Sequence, residues 1–392
     1  MTSGLRPVRL LTEISHIEWL AQRLEGEPRI AVDLESDGFY VYHEKVCLLQ
    51  LSSEKEDFIV DPLSARDLSP LGVIFRDPGV EKVFHAAEYD ILSLKRDFGF
   101  KVRGVFDTMA AARALGKPKL GLAALIEEYF GIALSKKLQR ANWGKRPLSE
   151  EQIQYARLDT HYLLRLRDKL EKELKERKLL EEARDSFRKV ERIEPAVKNF
   201  DPESYWRLPG ARALAPESLA VLKELHFYRE KTAAELDRAP FRVLPEPMLV
   251  RLAAELPRSV QELARVHGMT PYLFERHSRE LIETIERGLK ARPVERPPER
   301  APREWDGPTA RRYEALREWR KRAAEQRGVE PVVILDTDEI KALAAVPAKS
   351  EDQSQWLACL SPFKQEAYRA DILRILQQVA APAHGRRKRR KP

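Results

Sequence analysis

The amino-acid sequence predicts an α/β domain followed by two small all-α domains. Three observations lead there. Strand-like and helix-like segments alternate over roughly the first 195 residues, strand signals nearly vanish after about residue 200, and the helical half repeats itself at a spacing of about 91 residues. A chain of 392 residues also exceeds what one hydrophobic core usually organises.

In chain order, the strand candidates are RIAVDLE (29–35), VCLLQLS (46–52), DFIVD (57–61), KVFH (82–85) and GVFD (104–107). The first three follow one another at hairpin-like spacing and helical patterns separate the others, so a mixed sheet with antiparallel first strands is expected. A helix is expected from about Ala86 to Phe98, with Ala87, Ile91, Leu94 and Phe98 on one stripe. Asp107 precedes an alanine-rich segment as an N-cap. Ser149 and Gln152 form an S-x-x-Q capping box for a third helix, and Pro147 keeps the preceding chain extended.

The repeat superposes Leu225 on Leu316, Tyr228-Arg229 on Trp319-Arg320, Ala233 on Ala324 and Pro240 on Pro331 without a gap. It continues through Leu244 and Leu335, Leu249 and Ile340, and Leu252-Ala253 and Leu343-Ala344. Two divergent copies of one helical domain account for it. The expected division is 1–195, 203–290, a proline- and charge-rich linker at 291–306, 307–381, and a basic tail at 382–392. The tail, GRRKRRKP, suits either solubility or a phosphate backbone.

Lys and Arg number 70 against 62 Asp and Glu, giving +8 and a pI near 9.3, which favours a polyanionic partner. Two distant cysteines, Cys47 and Cys359, argue against a disulfide framework or zinc cluster. The N-terminal stretch does not read as a signal peptide and no window reads as a membrane span, so a cytoplasmic protein with no membrane partner is expected.

Acidic residues stand where folding alone would not put them. In RIAVDLES, Ala31, Asp33 and Glu35 share one strand face, opposite Ile30, Val32 and Leu34. Asp90 borders the apolar stripe of its helix, and Asp159 falls on the seam of Ala156, Leu163, Leu166 and Leu170, one turn after Tyr155. Each also has a plain alternative: an exposed strand end, a helix-flank aspartate favoured by the dipole, and a satisfied buried polar pair. Brought together, four carboxylates would repel one another and take up protons unless divalent cations neutralised them. Mg²⁺ or Mn²⁺ suits hard oxygen donors, and two such ions are a device for phosphodiester cleavage.

These residues, in AVDLES, HAAEYDILSL and YARLDTHYLL, together with FDTMAAARALG and ANWGKRPLSEEQIQYA between them, resemble the DEDDy branch of the DEDD exonucleases, and most closely ribonuclease D. The repeats, with ELHFYREKTAAELDRAPFRVLPEPMLVRLA in the first copy and VVILDTDEIKALAA in the second, resemble HRDC domains. The resemblance implies a ribonuclease H-like α/β fold and a 3′→5′ exoribonuclease acting on RNA such as tRNA precursors, with no obligate protein partner evident. It implies two ions held mainly by Asp33, Glu35 and Asp159, with Asp90 acting through water. Tyr155 would position the attacking water for release of nucleoside 5′-monophosphates.

Two other readings stay open. A DNA exonuclease with single-stranded DNA as partner uses the same residues, and a non-catalytic RNA-binding scaffold would share the fold. On the substrate side, SKKLQRANWGKR carries Lys136, Lys137, Arg140, Trp143, Lys145 and Arg146, cations interleaved with an aromatic as a single strand requires. The same segment also fits a solvated basic loop with Trp143 packed inward. His85 reads as a junction histidine and Asp107 as structural.

Overall fold

The computed structural model describes residues 5–196, 200–294, 307–346 and 356–380. Most of the expected linker and the whole basic tail lie outside the described residues.

Six strands form one mixed sheet: β1 (Val8–Leu11), β2 (Arg29–Ser36), β3 (Val46–Ser52), β4 (Asp57–Val60), β5 (Glu81–Phe84) and β6 (Val105–Asp107). Their order is β1-β4-β3-β2-β5-β6. β2, β3 and β4 pair antiparallel, as their hairpin spacing predicted, whereas β1–β4, β2–β5 and β5–β6 pair parallel. β1 went unread in the sequence, because its neighbour in the sheet is β4, some fifty residues on, and only Leu11 of the strand is buried.

The period-two reading of β2 holds. Ile30, Val32 and Leu34 enter a core with Ile17, Leu20 and Leu24 of the helix Ile14–Leu24 and with Ile91 and Leu94 of the helix Glu88–Phe98. Ala31 faces the other way, into a core with Phe106, Leu163, Leu166, Leu170 and Phe187. Helices therefore cover both faces, and Asp33 and Glu35 point toward the second layer.

Beyond residue 200 the described residues are helical. Tyr205, Leu222, Leu225, Leu249, Leu252 and Leu281 centre one core, and Leu316, Trp319, Leu335, Ile340, Leu343 and Ile372 another. The repeat is structural: Pro240 and Pro331 each open a four-residue helix, and Leu225/Leu316, Ala233/Ala324, Leu244/Leu335 and Leu252/Leu343 are buried in equivalent places. Among the described residues no helix is long and apolar enough to cross a membrane. Cys47 and Cys359 are both free thiols.

Both helical domains touch the α/β domain. The first meets residues 37–45, the loop after β2: the Asp237 carboxylate accepts from the Tyr42 and His43 amides, and Ala239 N donates to Tyr40 O. The second meets the helix Leu180–Glu191, where buried Glu182 accepts from Arg327 and from the Tyr368 hydroxyl.

Candidate active site

Asp33 and Glu35 lie near the end of β2, opposite Gln50 and Leu48 of β3, just before a register shift at Ser36. Over this face lies the helix Glu150–His161, started by the Ser149–Gln152 capping box. Ala156 packs against Leu48, Ile59 and Trp143, and this seats the helix on the sheet. Tyr155 and Asp159, one turn apart, project from the same side of it. The result is that ligand oxygens of Asp33, Glu35 and Asp159 all lie within 4.8 Å of one another.

Asp90 arrives from the helix that follows β5, the parallel neighbour of β2. It is buried, in the first turn of the helix Glu88–Phe98. That helix begins two residues later than its apolar stripe suggested, because Ala86 adopts a left-handed backbone with φ 63°. Asp107 holds that turn: its carboxylate accepts from the Ala86 and Ala87 amides at 3.0 Å while capping its own helix through Met109 and Ala110. The N-cap role was legible in sequence, whereas the bonds to Ala86 and Ala87 were not. His85 bonds Thr108 through Nδ1, and burial pushes its pKa down, as a neutral junction histidine requires.

The electrostatics are those of crowded anions. Burial, then Asp90, Asp159 and Glu35, raise the Asp33 pKa well above the carboxylate range. Burial and then the Asp159 and Asp90 charges push Glu35 up to about 9, and burial brings Asp159 to about 7. Burial and nearby Asp107 raise Asp90 likewise. The Tyr155 phenol is raised by burial and by Asp159, Glu35 and Asp33, so it stays protonated. Three hard oxygen donors this close, each resisting ionisation for want of a counter-charge, fit a divalent cation.

The basic loop divides. Trp143 is 1% exposed, packed on Leu48 and Ala156 with its ring centroid 5.9 Å from that of Tyr155, so it is a wall of the site and does not stack on bases. Arg146 is likewise no RNA contact. Its guanidinium grips both Asp61 oxygens at 2.6 and 2.7 Å and the Cys47 carbonyl at 2.9 Å, which leaves it no free donor face. Lys136, Lys137 and Arg140 are exposed. A cavity of about 190 Å³ opens beside Tyr155 and Asp159, lined also by Leu134, Lys137, Leu138 and Leu158.

Sequence reasoning missed the anchor behind the helix Glu150–His161. Fully buried Asp57 on β4 accepts from Ser52 Oγ at 2.8 Å and Arg157 Nη2 at 3.0 Å, and pairs with His161 Nδ1 at 2.7 Å. The signal was a DFIVD strand opening on a charge, with Arg157 and His161 two residues either side of Asp159.

The arrangement is that of an acidic metal-ion site, and comparison with known proteins places it in an exonuclease domain. A family profile described as 3′-5′ exonuclease matches residues 8–175, and the HRDC domain profile matches 218–285 and 309–376. The catalytic core of RRP6 from Trypanosoma brucei superposes with a TM-score of 0.68 at 30% identity, covering 74% of this chain and 82% of that one. RNase D of Escherichia coli superposes over 95% of this chain and 99% of its own, with a TM-score of 0.61 and 26% identity. The exosome complex exonuclease RRP6 of Saccharomyces cerevisiae is 36% identical over 261 residues, 63% of this chain and 36% of the yeast protein. The chain spans about a third of the length of the curated relatives it first matches. It belongs to the ribonuclease D-like family, with a DEDD 3′–5′ exonuclease domain followed by HRDC domains.

Proposed function

We propose that this chain is a metal-dependent 3′→5′ exoribonuclease that trims structured RNA precursors such as tRNA and releases nucleoside 5′-monophosphates. The observation that carries the proposal is the convergence of Asp33, Glu35 and Asp159 within 4.8 Å beside Tyr155.

In this reading Asp33, Glu35 and Asp159 hold Mg²⁺ or Mn²⁺, and Asp90 reaches the site through water. When bound, the ions lower the pKa of the attacking water and neutralise charge on the leaving oxygen. Tyr155, kept protonated by its anionic neighbours, orients that water by hydrogen bonding and does not act as the base. Trp143 and the Asp57 network hold the Tyr155 helix against the sheet. The cavity beside Tyr155, with Lys137 at its rim, offers the terminal nucleotide a seat.

RNA is favoured over DNA because the E. coli neighbour is described as an exoribonuclease involved in structured RNA processing. Relatives in yeast and mouse are named as exosome components, which weighs against the expectation of no obligate protein partner, although the match covers a third of each. The test is product analysis with a tRNA carrying a 3′ extension and a DNA strand of equal length. Mononucleotides from the RNA, with Mg²⁺ or Mn²⁺ and not with chelator, are expected. Equal release from DNA would replace the RNA assignment, and binding without release would leave the scaffold reading.

A further inference from the structure

Residues 37–45 run from the end of β2, which carries Asp33 and Glu35, and turn back on themselves where Tyr40 N and Val41 N donate to Asp37 O. On this loop Phe39 is 49% exposed, with the Arg140 guanidinium 5.8 Å over its ring. Across the domain boundary Phe241 is 47% exposed, and the Arg242 guanidinium lies 5.7 Å from its ring and 4.0 Å from that of Tyr40. The two halves are tied together. Arg242 donates from Nε to Phe39 O, and the Tyr40 hydroxyl donates to Arg140 O at 2.9 Å.

Two features coincide at this seam. Among the described residues Arg140 and Arg242, like Arg66, Arg165 and Arg238, have no carboxylate within ion-pair distance, unlike Arg146, Arg157 and Arg167. At the same seam two phenyl rings stand half in water, each with a guanidinium beside it. Cations without a carboxylate partner beside half-exposed aromatic rings are the chemistry of single-stranded nucleic acid, with phosphates meeting the guanidinia and bases stacking on the rings.

We infer that Phe39 and Arg140 of the nuclease domain, with Phe241 and Arg242 of the first helical domain, form one composite platform for the RNA strand just upstream of its 3′ end. The platform exists only while the two domains are docked, so the helical domain completes the substrate path. This rests on the exoribonuclease reading. It adds to it which surface holds the strand.

The experiment measures anisotropy of a 5′-fluorescein 12-nucleotide single-stranded RNA with the full chain in chelator, so that the strand is not consumed. Phe39→Ala and Phe241→Ala are each expected to weaken binding roughly tenfold, the loss of one stacked base. Arg140→Ala is expected to lower the slope of log affinity against log salt by about 0.7, the loss of one phosphate contact. Val73→Ala, a 52% exposed apolar side chain on the helix Gly72–Arg76, is the control and should bind as the unsubstituted chain does. Thermal unfolding checks that the variants remain folded, as partly exposed rings allow. Photocrosslinking of 4-thiouridine near the 3′ end to peptides containing Phe39 and Phe241 would support the same placement. If the unsubstituted chain shortens RNA but all variants bind it equally, the platform falls and the nuclease reading stands. If the unsubstituted chain neither binds nor shortens RNA, both fall.

Discussion

Tyr155 and Asp159 sit one helical turn apart, and Asp33 and Glu35 two residues apart on a strand. Both spacings place side chains on one face by geometry alone, which is why this constellation was legible in sequence. Trp143 and Arg146 were not, because a basic segment reads the same whether its aromatic points out or in. Only the packing against Leu48 and the Asp61 carboxylate decide it. Tyr155→Phe is expected to lower kcat roughly a hundredfold with KM little changed, since the hydroxyl orients water and the ring keeps its contact with Trp143. The carboxylates also predict a pH effect. Their folded pKa values are raised, so the metal-free protein binds more protons folded than unfolded between about pH 4 and the folded values, near 7 for Asp159 and 9 for Glu35. Its stability therefore falls as pH rises through that window. A divalent cation relieves the repulsion and competes with those protons, so the Tm gain on adding Mn²⁺ should grow from about pH 5 to about pH 8. A gain independent of pH would show that the cation binds elsewhere.

At the scale of elements, helices and hairpin strands announced themselves by periodicity and caps, whereas β1 and the Asp57 anchor depend on partners far along the chain. Local patterns cannot carry that information. Asp57 illustrates it: burial alone would raise its pKa, but hydrogen bonds from His161 and Ser52 and the nearby charge hold it low. Asparagine in its place keeps one acceptor oxygen but loses the negative charge against which Arg157 and His161 are buried. Asp57→Asn should cost about 3 kcal/mol by chemical denaturation. Because the depressed pKa belongs to the folded state, the Asp57 contribution is full above about pH 4 and is lost as pH falls through the folded value. The wild-type stability advantage over Asp57→Asn should accordingly shrink in acid. Asp107→Ala is expected to cost about 1–3 kcal/mol, since it removes an N-cap and frees the left-handed Ala86 turn that aims Asp90. Activity should fall with it, and a variant of full stability and activity would contradict this role.

At the scale of the molecule, the repeat offset foretold two copies of one helical domain, and the two HRDC matches keep that spacing. How those copies dock was beyond the sequence, because interfaces built from single side chains such as Asp237 and Glu182 have no periodicity. Glu182, 3% exposed, is the acceptor for both Arg327 and Tyr368. Glu182→Ala should loosen the second helical domain by roughly 1–3 kcal/mol, seen as faster proteolysis between the domains. The central claim, that these carboxylates and Tyr155 make a 3′-end nuclease, is tested most directly by a time course on a 5′-labelled single-stranded RNA with Mg²⁺, with Mn²⁺ and with chelator, beside Asp33→Ala. A ladder that shortens from the 3′ end only with metal, and is absent in Asp33→Ala, is the predicted result. An intact strand under every condition, or a ladder that persists in Asp33→Ala, would contradict it.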